Sequence, residues 1–391
     1  MSPSPRSPAF ALAAACCAWP PSEARNAEVR LASRDIDWDR FARVVARHRI
    51  EGLARGALRH ADVRPPPEVD QALAAAAADI AYRSLGLAAE SARLQSLLDE
   101  AAVPSLILKG AALDILAYGV LGLKRAWDID LLVSPAMTSG ACEVLGRAGY
   151  DLTRPAGLAR AGWETWTALS KECVFTHRDN GVVVELHWRL VDGDALLQGL
   201  SAASPAQLVK LSGALSLRTL ARDELFAYLC VHGASHGWSR LKWLADLRAL
   251  IAHETPAGLD RLYRRSLELG AGLCPAQALL LCHRLLGLEL ATAFERELEA
   301  DIKTRWLVAL AIDAMTGGGE TETHDRSLGA ERILLARFLF AGGWRYRWAE
   351  FRRQWISLDD RLRFALPPAL HFLYAVIRIP SWFWRRVFRR P

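Results

Sequence analysis

Lysine is scarce in this chain: only 6 of its 49 basic residues are Lys, and the rest are Arg. Alanine is abundant as well, so the bias reads as genomic composition rather than function. A basic face spanning the chain is also missing. From Glu331 onward there are 13 arginines against 4 acids, which leaves 36 basic and 39 acidic residues before it. A nucleic-acid binder carries its positive charge across the binding domain, so nucleic acid is not an expected partner. Cysteine lacks pattern. The seven cysteines (Cys16, Cys17, Cys142, Cys173, Cys230, Cys274, Cys282) are odd in number, with no CxxC or finger-like spacing. That argues against a disulfide scaffold and for a reduced, cytoplasmic protein. No uninterrupted apolar run reaches about 18 residues, so a membrane-spanning helix is not expected. "FALAAACCAW" has the length of a signal-peptide core, yet it enters "PPSEARN" without a small-residue cleavage site. An amphipathic first helix accounts for it equally well.

What is present is an ordinary globular composition, 52% hydrophobic and 24% charged over 391 residues, enough for a sizeable core and two or three domains. From Asp35 to Leu58 apolar residues recur at helical spacing after an Asp that can cap. "RPPPEVD" breaks the chain, and Pro67 then suits the first turn of a helix running to about Ala102. Two or three helices therefore precede Pro104. There the character changes: "SLILKG" reads as a strand and turn, "AALDILAYG" as a helix, and "KRAWDIDLLV" as a second strand. Farther on, "ECVFTH" and "VVVELHW" flank "RDNG", a strong hairpin signal. A small sheet is expected between Ser105 and Leu190, with helices again after Ser201.

In an extended strand alternate side chains share a face, so Asp128 and Asp130 lie side by side while Ile129, Leu131 and Val133 face the core. The same rule puts Val183, Glu185 and His187 on one face of the later strand. If the two strands are neighbours, three carboxylates converge, and they repel unless a cation compensates. Hard divalent ions take oxygen ligands and bridge substrate phosphates, which suits metal-assisted phosphoryl or nucleotidyl transfer. The alternative is a solvated strand end with ordinary acids. Upstream, Lys109-Gly110 closes a strand and opens a helix, a place where backbone N–H groups and an ammonium face an anion. Lys124 and Arg125 add charge beside the acids. "HGASHG" spaces His232 and His236 one helical turn apart, with Asp246 about 14 residues later. They can serve as base, phosphate contacts or metal ligands, or be hydrogen-bonded core residues, and Lys242 with Asp246 can form an i,i+4 pair. Trp238 and Trp243 read as core.

"LILKGAALDILAYGVLGLKRAWDIDLLV", "VVELHWRL" and "HGASHGWSRLKWLADL" together resemble a family of bacterial nucleotidyltransferases, itself mostly assigned by sequence, within the polymerase-beta-like nucleotidyltransferase superfamily. The resemblance is specific in those blocks and extends loosely over residues 35 to 380. It implies an α+β fold: a small mixed β-sheet nucleotidyltransferase core flanked by N-terminal and C-terminal helical regions. The expected divisions are 1–102 (helical), 103–198 (the core), 199–328 (helical) and 329–391 (a basic, aromatic helical tail). It implies two metal-binding aspartates on one strand and a third carboxylate on another, by position Asp128, Asp130 and Glu185, with Asp130 bridging two ions. The expected cofactor is Mg²⁺ or Mn²⁺, with an NTP, ATP by preference, as donor. Lys109, Gly110, Lys124 and Arg125 are the expected phosphate contacts. His187 is expected to position the acceptor, and His232 and His236 to face the cleft. The wider superfamily places Gly-Ser ahead of the aspartates, whereas this chain, like closer relatives, has Lys109-Gly110, so lysine and backbone replace a serine hydroxyl.

The acceptor is unnamed by these residues, although the insertion at 153 to 172 is placed to shape its pocket. Two other readings stay open: a non-catalytic helical interaction protein on this scaffold, and kinase-like transfer in modifying a ribosomally made peptide. The tail "LYAVIRIPSWFWRRVFRRP" interleaves aromatics with arginines, which suits peripheral contact with an anionic membrane, and equally a partner or the protein's own surface.

Overall fold

In the computed structural model, residues 7–158, 160–193, 195–213, 215–317, 329–356, 358–364, 366–374, 376–378 and 380 are described. Most of the arginine-aromatic tail proposed for membrane contact, residues 381–391, lies outside them.

Five helices come first, where two or three were expected. α1 (Pro8–Ala15) starts at Ser7, whose hydroxyl accepts from the Phe10 amide, and buries Phe10, Leu12 and Ala13. It is apolar nearly all round rather than amphipathic, as befits a helix enclosed by neighbours. α2 (Glu23–Ala32) follows. The periodic stretch after Asp35 forms two helices rather than one. α3 (Trp38–His48) is capped by Asp37 and ends where Arg49 turns left-handed at φ 59°, and α4 (Glu51–His60) resumes after Ile50. α5 (Pro67–Glu100) starts on its proline as expected and runs 34 residues, about 51 Å at the helical rise. By length and composition it is the one described helix that could cross a membrane, with 22% of its most apolar window buried. Polar contacts tie it to its own chain: Gln95 bonds the backbone of Ser216 and Arg218, and Glu90 accepts from Tyr150.

The core is a five-stranded mixed sheet in the order β1-β2-β5-β4-β3. Its strands are β1 (Ser105–Ile107), β2 (Asp128–Val133), β3 (Tyr150–Arg154), β4 (Glu172–His177) and β5 (Val183–His187). Only β2 and β5 pair in parallel. β4 and β5 form the hairpin that Asn180-Gly181 announces, with Gly181 at φ 69°. The connections carry α6 (Ala111–Tyr118), α7 (Thr138–Arg147) and α8 (Arg160–Leu169). One sheet face, with Ile129, Leu131, Val133, Val184 and Leu186, packs on a core shared with α5 and α7. From the opposite face, Leu132 joins the main helical core.

The expectation of helix directly after Ser201 fails. β6 (Ala206–Ser212) and β7 (Leu215–Leu220) form a separate hairpin in which Val209 and Leu217 are paired and buried. The period there is two, and the reward for pairing is coverage of one apolar side beside β1. The helical region then comprises α9 (Arg222–Ser235), α10 (Leu241–Leu250), α11 (Pro256–Glu268), α12 (Cys274–Leu286), α13 (Thr292–Glu299) and α14 (Ile302–Thr316). α15 (Gly329–Ala336), α16 (Trp344–Trp355) and α17 (Leu358–Arg363) complete it. Phe41, Val45 and Leu58 share one core with Leu244, Leu279 and Leu307, so helices from both ends of the chain clamp the sheet.

α4 joins that core to the site through a close approach. Leu53 N donates to Leu123 O at 2.9 Å, and a Cβ on Gly52 would lie 2.6 Å from the same oxygen. Gly52→Ala should therefore destabilise the protein by about 1–3 kcal/mol. Gly56→Ala, on the same helix with nothing within 4 Å of its Cβ position, should stabilise it by about 0.5–1 kcal/mol. Urea midpoints moving in opposite directions are the expected result.

Candidate active site

The turn after β1 sets the site. Leu108 N donates to Asp130 O at 3.0 Å, which fixes the chain beside β2 just before Lys109. Gly110 then takes φ 62°, ψ −130°, a conformation glycine reaches without strain, and α6 begins. Lys109 is thereby turned toward the acidic strand, its Nζ 3.0 Å from Asp130 Oδ1.

Because β2 and β5 are parallel and in register, Asp130 sits directly beside Glu185. His187, two residues on, reaches the same carboxylate: its Nε2 is 3.2 Å from Asp130 Oδ1 and 3.6 Å from Glu185 Oε2. Its other ring nitrogen lies 3.2 Å from Glu172 Oε2 on the adjacent strand, where Glu172 and His187 are paired. Ligand atoms of Asp130, Glu185 and His187 all fall within 4.8 Å of one another. Asp128 shares the face but stands outside that close set.

Charge and burial set the protonation states. Burial alone would raise Asp130, but Lys109 and His187 hold it well below the usual carboxylate range. Burial and the neighbouring Asp130 charge push Asp128 up to about 6. The hydrogen bond from His187 lowers Glu185. Burial and Lys171 would lower His187, yet its bonds to Asp130 and Glu185 raise it. The donor set fits a divalent cation: two carboxylates and an imidazole converge within reach of one centre. An imidazole nitrogen among the oxygens suits Mn²⁺ as well as Mg²⁺. In the arrangement seen here, the cationic role at Asp130 falls to Lys109.

α9 closes over this face. Tyr228, His232 and His236 follow one another at four-residue spacing, the two histidine rings are 4.7 Å apart, and His236 stacks on Trp243 at 4.9 Å. Burial and the nearby Lys109 depress both histidines, His236 to about 3, so both are neutral. Trp238 is wholly buried, as expected of a core residue, whereas Trp243 is partly exposed and forms the stacking partner.

Several groups escaped the sequence reading. Glu172 opens β4 and places its Oε2 3.2 Å behind His187 Nδ1, without hydrogen-bond geometry. Lys171 pairs with Glu172 at 2.5 Å and acts electrostatically on both His232 and His236. Tyr228 is buried facing Lys109, Asp130 and Glu172. The spacing Tyr-x₃-His-x₃-His was the available signal for Tyr228, and the alternation in "ECVFTH" was the signal for Glu172.

Two expected phosphate contacts are placed otherwise. Lys124 is buried between Asp114 and Asp246, at 2.8 and 3.4 Å, because two carboxylates under a helix junction need an internal cation. Tyr118 donates to Asp246 at 3.0 Å, and burial pushes Asp246 up to about 6 despite Lys124. Arg125 binds Glu51 at 2.7 Å and lies over Trp127. The i,i+4 pair expected between Lys242 and Asp246 gives way to these contacts, and Lys242 donates instead to Arg125 O at 3.4 Å.

The sequence profile described as "Uncharacterised nucleotidyltransferase" matches residues 34–287, which span α3 to α12 and contain every residue of this site. The chain belongs to that family. It is thus a nucleotidyltransferase, and the cluster on β2 and β5 is its candidate metal site. Comparison with curated proteins finds no match.

Two outcomes follow for this nucleotidyltransferase. Lys124→Met strands Asp114 and Asp246 in the interior and should cost about 3–5 kcal/mol in chemical denaturation, with or without nucleotide. A residue that only touched phosphate would not behave so. The second concerns pH. His236 titrates lower folded than unfolded, so between about 3 and 6.5 the unfolded chain binds the extra proton and stability rises with pH. In His236→Gln the slope of stability against pH over 4 to 6 should be smaller than in the parent by up to about 1.4 kcal/mol per unit.

Proposed function

We propose that this nucleotidyltransferase moves a nucleoside monophosphate from an NTP, with ATP as the preferred donor, to an acceptor hydroxyl or phosphate. The observation that carries the reading is the meeting of Asp130, Glu185 and His187 within 4.8 Å, beside a lysine delivered by a strand-glycine-helix turn. Asp130 and Glu185 would hold divalent cations, Mg²⁺ by preference, with His187 as a third ligand or as the group that orients Asp130. Such ions supply charge neutralisation for the triphosphate and activation of the attacking oxygen.

The remaining work falls to the chain's own groups. Lys109 exchanges its bond to Asp130 for the triphosphate, helped by backbone N–H groups at the start of α6. Glu172, its Oε2 3.2 Å from the far ring nitrogen, puts negative charge behind His187 and favours its protonated form. His232 on α9 and His236 just after it, kept neutral, donate or accept single hydrogen bonds without adding charge, and the covering helix restricts water. In the reaction the acceptor oxygen bonds the α-phosphorus, the bond from that phosphorus to the β-bridging oxygen breaks, and pyrophosphate departs. Asp128, half-exposed beside the pair, is placed to take the acceptor's proton. All seven cysteines are free. That supports a reducing, cytoplasmic setting.

Asp130→Asn should lower NTP-dependent pyrophosphate release by more than about a hundredfold, while the fold persists by circular dichroism. Formation of ADP and a phosphorylated acceptor in place of pyrophosphate would replace nucleotidyl transfer by kinase-like transfer. Absence of NTP binding in the parent protein would leave a scaffold.

A further inference from the structure

A cavity of ≈ 580 Å³ opens beside the acidic cluster, between the end of α8, the segment after β5 and the face of α16. Its size is that of a small-molecule site. Five arginines line it: Arg189, Arg337, Arg345, Arg352 and Arg353. Against them stand two carboxylates, Asp192 and Glu350, so guanidinium groups exceed carboxylates by three. Phe340 and Tyr346 supply apolar wall.

The arginines divide by what they already hold. Arg353 clasps Glu350 through two bonds, at 2.8 and 2.5 Å. Arg337 is mostly buried, donates to Ser235 O at 3.0 Å and reaches Asp192 at 3.5 Å. Its buried Nε has no hydrogen-bond partner among the described residues. Arg189 donates to the carbonyls of Thr167, Ala168 and Ser170. Arg345 and Arg352 are exposed on α16 and have no carboxylate partner among the described residues. Burial and the adjacent Arg353 press Arg337 below its ordinary value, the condition an incoming anion relieves.

The cavity is coupled to the reaction centre by sequence and by charge. Arg189 lies two residues beyond His187, Leu169 two before Lys171, and Ser235 adjoins His236. His236 in turn feels Lys171, Arg337 and Asp192. Two expected donor contacts are elsewhere: Lys109 and Gly110 do not line this cavity and flank a separate small hollow with Ser84, Leu87 and Ser91. The arginine-lined cavity is thus distinct from the groups expected to meet the triphosphate.

We infer that the arginine-lined cavity is the acceptor pocket and that it takes a small anionic acceptor, recognised through a carboxylate or phosphate group. Planar guanidinium forks match both groups, and a water-sheltered wall strengthens the pairing. This inference rests on the nucleotidyl-transfer reading.

The test uses the full chain, with glutarate and inorganic phosphate as the two anion probes and ATP with Mg²⁺ as the donor, followed by calorimetric titration. The exposed pair Arg345→Glu/Arg352→Glu should weaken binding of whichever anion the parent binds by tenfold or more, while ATP affinity changes by less than twofold. Lys109→Ala should show the reverse pattern. The assignment is overturned if the parent binds neither anion, if the double variant binds them unchanged, or if ATP binding falls as far as anion binding. Anion binding without any binding of ATP sinks the nucleotidyl-transfer reading first, and removes the acceptor role while leaving an anion site.

Discussion

The parallel pairing of β2 with β5 is the constraint on which the site depends. It sets Asp130 beside Glu185 with no loop between them, and a buried cluster of like charge persists only if cations compensate it. Lys109 and His187 do so here, both converging on one carboxylate oxygen. Each is fixed by something rigid: Lys109 by the Gly110 turn into α6, and His187 by its pairing with Glu172 across the hairpin. The cluster is thus preorganised, with the Lys109 ammonium supplying positive charge at Asp130.

A second buried charge cluster holds the scaffold. Lys124, Asp114, Asp246 and the Tyr118 hydroxyl join α6 to α10, and α10 packs beside α9, which covers the site. The two clusters use the same chemistry for different ends. At Lys124 both carboxylates are internal and the lysine is enclosed, so the pair is static. At Lys109 the lysine is partly open and its partner is the residue that chemistry needs. The arginine-lined cavity lies past the far end of β5.

The sheet and the acidic pair were readable because strand alternation is strict and because strand-Lys-Gly-helix followed by Asp-x-Asp is specific. The hairpin was readable from Asn-Gly. The β6–β7 hairpin was not, since its short alternating runs sit among helical segments and only pairing with each other beside β1 makes them strands. The split of the first long helix was hidden because Arg49 adopts a left-handed conformation that nothing in its side chain announces. Lys124 and Arg125 looked like phosphate contacts by proximity in sequence. Their true partners, Asp114, Asp246 and Glu51, are assigned by packing between elements distant along the chain.

By itself the sequence determined which side chains share a face of each strand, where the backbone must turn at Gly110 and Gly181, and that several acids would need a cation. Those are local matters, set by backbone geometry and residue type. Tertiary structure alone decided which strands are neighbours, which lysine faces the acids, that Glu172 stands behind His187, and that arginines from three separate segments line one cavity. Such choices depend on which distant surfaces exclude water together, and no local pattern encodes that.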